Sequence, residues 1–156
     1  MPEIRKHDRL LPSDPATRET ARGLYERVRQ APIVSPHGHV EAAKLSNNTA
    51  FSDPAELFIS HDHYVKRLLH AAGEQLGDLT HLTNSPRNVW SIFAKHQALF
   101  AGTAVAVWFA DSMETVFGIS EPLTTSNADE LFDRVSEALT KPELRPQALF
   151  NQFGIE

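Results

Sequence analysis

Apolar residues along this chain recur mostly at three- and four-residue intervals, and those intervals mark out its elements. In "PATRETARGLYERVRQ", Pro15 to Gln30, Leu24 and Val28 stand i, i+4; Asp14 is placed to cap and Pro15 falls at the first helical position, so the stretch predicts a helix. The following "APIVSPH" is a β-branched run bounded by prolines and predicts a short strand around Ile33 to His37. Pro36 has no N–H to give to a ladder, so this strand belongs at a sheet edge or ends there. Beyond His39 the pattern is helical. His61 to Ala72 puts Val65, Leu68, Leu69 and Ala72 on one face before a stop at Gly73. Pro86 to Phe100 begins behind Ser85, Thr103 to Phe117 stops at Gly118, and Asn127 to Thr140 aligns Leu131, Val135 and Leu139. Glu143 to Phe153 predicts a last helix, with Gly154 as its stop and Ile155 as the start of another strand. The expected chain is mainly α, with one short strand.

Composition narrows the function classes. The length of 156 residues suits one domain with its own core. A net charge of −5, with Lys and Arg scattered, lacks the cationic footprint that phosphate backbones require. With no cysteine, disulfides, thiolate zinc sites and a cysteine nucleophile are excluded. The first residues, "MPEIRKHDRLLPSDP", have no apolar core of signal-peptide length, and the most apolar stretch, Ala98 to Ala110, is too short to span a bilayer. A cytoplasmic protein without nucleic-acid or membrane partners is expected.

Two clusters carry the candidate chemistry. In "IVSPHGHVE", His37 and His39 flank Gly38; on a strand they point the same way, roughly 6 to 7 Å apart, and can converge on one divalent ion. Imidazole suits several metals, and a catalytic zinc needs about three protein ligands, so the pair alone is an incomplete site. The second cluster is Asp62-His63-Tyr64 with Arg67 one turn on. At helical spacing His63, Tyr64 and Arg67 can share one cleft wall, where a phenol meets a sugar hydroxyl and a guanidinium grips a carboxylate. The residues equally allow a purely structural use: Asp62 as cap, Tyr64 in the core, Arg67 paired with an acidic neighbour.

In order and spacing, "ARGLYERVRQAPIVSPHGHVE", then "DHYVKRLLHAAG", then Trp108 followed by Phe117-Gly118-Ile119, resemble the N-terminal part of the uronate isomerase (glucuronate isomerase) family of the amidohydrolase superfamily. The chain departs from that pattern at Ser35, where the family carries an acidic residue two positions before its H-x-H, and "WFADSMETVFGI" has no residue-by-residue match. The resemblance implies the first third of a metal-dependent (β/α)8 barrel, with residues 32–40 as its first strand and residues 61–153 as a helical insertion. It implies isomerisation of D-glucuronate to D-fructuronate, with His37 and His39 on a divalent metal, expected to be zinc, and His63, Tyr64 and Arg67 on the uronate sugar. No residue here is a convincing general base, so the base, further ligands and most of the substrate grip are expected in a missing part. The chain alone is expected to be inactive and to self-associate or take up a complementary C-terminal chain. Two other readings stand beside this one: a metal-dependent hydrolase of the same superfamily, and a non-catalytic helical interaction fragment.

Overall fold

The computed structural model describes residue 8 and residues 10–38, 40–79 and 85–156, and it is built from short helices whose starts are set by local chemistry. Helix α1, Pro15–Val28, begins where the Asp14 carboxylate accepts from the backbone N–H of Thr17 at 2.8 Å. The chain then runs through α2, Ala42–Asn47, and a π-turn, Glu56–Ser60. Helix α3, His63–Ala71, is capped by Asp62, whose carboxylate accepts from the N–H groups of Tyr64 and Val65 at 2.8 and 3.1 Å. The Ser85 hydroxyl caps α4, Pro86–Lys95, and Thr103 caps α5, Ala104–Thr115. Helix α6 is Ala128–Leu139 and α7 is Pro146–Phe153, closed by Gly154 at φ +63°.

Three expected elements change, and two short ones appear that the sequence reading did not expect. The helix expected over Pro86 to Phe100 breaks at His96, whose Nε2 meets the Glu74 carboxylate at 2.6 Å, and Gln97–Phe100 continues as a 3-10 turn. The helix expected from Glu143 starts only at Pro146, after a 3-10 turn at Pro142–Leu144. Helix α2 and the π-turn were not resolved by periodicity, being too short to show it. The expected strand at Ile33 to His37 shrinks to one parallel bridge between Ile33 and Ile155, in which Ile33 N–H donates to Gly154 O at 2.7 Å and Glu156 N–H donates to Ile33 O at 2.9 Å. Val34, Ser35 and Pro36 have no ladder partner among the described residues, and strand composition without a neighbour leaves a ladder unmade. Ile155, expected to start another strand, makes only this isolated bridge.

The core lies between Phe51 and Leu144. Helix α4 packs on α6, and the Trp90 indole N–H donates to Ala128 O at 2.9 Å, satisfying a fully buried polar group. Phe93 meets Phe100 and Phe109 edge to face at 5.1 and 5.2 Å, and Phe58 meets Phe109 at 5.1 Å. Each buried aromatic or aliphatic side chain contributes about 1.5–3 kcal/mol. Arg87 lies over the Phe132 ring at 4.4 Å while binding Asp129 and Asp133, tying α4 to α6 at the surface. No helix among the described residues is long and apolar enough to cross a membrane.

Candidate functional site

Asp62 serves as the cap, but the other structural uses of its cluster fail. Tyr64 is 57% exposed rather than core. Arg87 and Arg134 are held by carboxylates, whereas Arg67 carries no ion pair among the described residues. Tyr64 and Arg67 instead line an open hollow of about 570 Å³, together with Leu68 and Ala71 of α3 and Phe100, Ala104 and Trp108. Helical geometry accounts for this, since positions 64, 67, 68 and 71 form one i, i+3, i+4, i+7 stripe, while Val65 and Leu69 turn into the core.

His63 is not on that stripe. Its ring lies against Tyr64 with centroids 4.2 Å apart and planes tilted by 37°, so it flanks the phenol rather than lining the hollow.

The histidines of the first cluster are described only in part. His37 is exposed, and its carbonyl accepts from the Ser35 hydroxyl at 2.8 Å. His39 lies outside the described residues. No group of three or more His, Asp or Glu side chains among the described residues could hold a metal ion. Neutral imidazoles fit a divalent ion such as zinc, but this donor set needs at least one more ligand.

Sequence reasoning missed the link between the two clusters. Glu41, just after the H-x-H stretch, meets His61 Nδ1 at 3.6 Å, directly before Asp62. Val40, Glu41, His61 and Asp62 line one small hollow of about 100 Å³ with the ion pair of Lys44 and Glu56 on its rim. That pair is 2.5 Å long and mostly buried, with Lys44 Nζ also 4.7 Å above the Phe51 ring. Burial pushes the Glu56 carboxyl up, but hydrogen bonds from Lys44 and Ser52 outweigh it and hold the group below the usual glutamate range. Trp108 was legible only as a residue of the family pattern; "AVAVWFA" is apolar all round and gives no phase from which its exposure follows.

Comparison with known proteins gives a consistent result. A family model described as glucuronate isomerase matches residues 10–156. The uronate isomerase of Corynebacterium efficiens is 47% identical over 153 residues, covering 96% of this chain and 33% of that protein. That of Brucella canis is 44% identical over 156 residues, covering 96% and 34%. Among solved structures, a glucuronate isomerase from Caulobacter crescentus superposes with a TM-score of 0.90 at 44% identity, covering 97% of this chain and 33% of that one. A uronate isomerase from Thermotoga maritima gives 0.81 at 27% identity, covering 96% and 31%. The chain thus spans about a third of the length of the curated relatives it matches. With the family model matching nearly all of this chain, the chain belongs to the glucuronate isomerase family.

Proposed function

We propose that this chain is the N-terminal part of a uronate isomerase of the cytoplasm, carrying the helical insertion of a (β/α)8 barrel, one wall of the sugar site and, at residues 32–40, the segment that becomes the first barrel strand once neighbouring strands pair with it. The observation behind this reading is that Tyr64 and Arg67 stand exposed on one stripe of α3 over an open hollow, in a chain of this family. Interconverting D-glucuronate and D-fructuronate moves a proton between adjacent carbons, which needs a base and a polarised carbonyl. The Tyr64 phenol holds a sugar hydroxyl, the Arg67 guanidinium takes the carboxylate in two-point fashion, and His63 fixes the phenol's orientation from behind. His37 and His39 supply two ligands of a divalent metal, which when bound supplies polarisation of a carbonyl oxygen. The general base and the remaining ligand belong to the part of the family's length that this chain does not span. Self-association, or uptake of a complementary chain, covers the apolar residues left exposed.

The test is reconstitution. Mixed with the portion of the Caulobacter enzyme that this chain does not match, the chain restores D-glucuronate turnover, while each part alone shows none. Tyr64→Phe lowers the restored rate, and Arg67→Gln raises KM for the uronate. Turnover by the purified chain alone, as a monomer, would sink the reading.

A further inference from the structure

The two tryptophans of this chain sit at opposite extremes. Trp90 is fully buried and hydrogen-bonded, whereas Trp108 on α5 is 66% exposed, although its neighbour Phe109 packs into the core. Successive helical residues diverge by about 100°, so α5 can bury only one of these two rings. Leaving the larger one in water forfeits the stabilisation its burial would bring. Trp108 lines the same hollow as Tyr64 and Arg67, over a floor that includes the buried Phe100 and Leu68 of α3. The volume, about 570 Å³, falls within the roughly 300–1,000 Å³ of small-molecule sites. Thr103, also on the lining, already donates to Phe100 O at 2.7 Å and caps α5, so its hydroxyl is committed.

A flat apolar ring facing a guanidinium and a phenol suits a ligand with an apolar face and an anionic edge. A cyclic hexuronate has that shape: axial C–H groups on a ring face, hydroxyls on the rim, a carboxylate at one end. Resting on the uronate reading of this site, we propose that Trp108 is the platform against which the sugar ring stacks, while Arg67 takes the carboxylate and Tyr64 a rim hydroxyl. The platform acts on capture of the cyclic sugar, before any proton moves, so it sets KM more than kcat.

Because Trp90 is sealed, Trp108 alone reports the hollow by fluorescence. Titrating the 156-residue chain with D-glucuronate, up to its solubility limit if needed, is expected to change the emission of the exposed tryptophan and protect it from acrylamide. D-glucose, without the carboxylate, is expected to do so about tenfold more weakly. Arg67→Gln should erase that preference, Trp90→Phe should retain the response, and Trp108→Ala should remove it with the helical circular dichroism intact. In the reconstituted complex Trp108→Ala should raise KM about tenfold with a much smaller change in kcat. Acrylamide access unchanged at the highest glucuronate concentration overturns the platform. So does a Trp108 already shielded without sugar in a concentration-dependent way, which would assign the face to a second copy of the chain. If reconstituted turnover depends on Tyr64 but KM ignores Trp108→Ala, the platform fails while the isomerase reading stands. If the mixture yields no turnover at all and no sugar binds, both fall.

Discussion

The helical body from Phe51 to Leu144 and the arm before it, residues 10 to 50, obey the same helix rules and end in opposite states. The body buries Trp90, Phe93, Phe100 and Leu131 completely; no described residue of the arm is buried at all. Helix α1 has a good cap, a proline at its first position and an apolar stripe, yet Leu24, Tyr25 and Val28 of that stripe are 62, 58 and 60% exposed. What holds α1 is local: the Asp14 cap, the Arg22 ion pair with Asp8, and the Arg29 pair with Glu26 at 2.7 Å. Exposed pairs of this kind contribute little, because solvent and salt screen them. Hydrophobic periodicity thus says which face of a helix is apolar, and nothing about whether a partner surface lies against it.

Five variants probe this contrast, from the strongest expected effect to the weakest. Phe93→Ala empties the centre of the aromatic cluster and should cost about 3–5 kcal/mol in urea unfolding followed by circular dichroism. A loss near zero would mean that the body has no fixed core. Next comes Lys44→Met, which strands the mostly buried Glu56 carboxylate and should cost about 1–2 kcal/mol. The Glu56 pKa lies below its unfolded value, so its contribution is fully present above the usual carboxylate range and fades as pH falls through the folded pKa. Unfolding curves collected from neutral to acid pH should therefore show a drop that is smaller in Glu56→Gln; equal acid sensitivity in both would remove Glu56 as a source. Ile33→Pro deletes the N–H that reaches Gly154 O and should cost about 0.5–1.5 kcal/mol, visible as faster hydrogen exchange at Glu156. Smallest of all, Leu24→Ser with Val28→Ser should change stability by less than about 0.5 kcal/mol. A cost rivalling Phe93→Ala would show that something covers α1 after all, and would erase the contrast.

Local chemistry was the legible part of this chain. Asp14, Asp62 and Ser85 cap helices as their residue types and spacing indicate, because a cap needs only its own next three residues. The break at His96 was not legible, since its partner Glu74 is brought there by the fold. The Ile33 strand failed for a related reason: strand composition expresses a preference that only an adjacent strand can satisfy, and a single bridge to Ile155 is what these residues make. In the site, the helical stripe of Tyr64 and Arg67 could be read from spacing. The pairing of Glu41 with His61 could not, because the turn between them has no periodic signal, and Trp108 hid in an apolar run.

The bridge at Ile33 and Ile155 does not stand alone: Gln147 at the start of α7 donates its backbone N–H to the Asn48 side chain at 3.1 Å and its amide to Leu45 O at 2.9 Å. The polypeptide therefore departs into the helical body and comes back to the same spot, fastened by two successive stitches. In folding kinetics these are the contacts with the widest chain separation, and closing so wide a loop carries an entropic toll that helix-to-helix packing within the body does not. The body should zip up first from near neighbours and draw the two stitches shut last. Geometrically, such a detour re-enters beside its own exit, the condition under which one folding unit can be spliced into another.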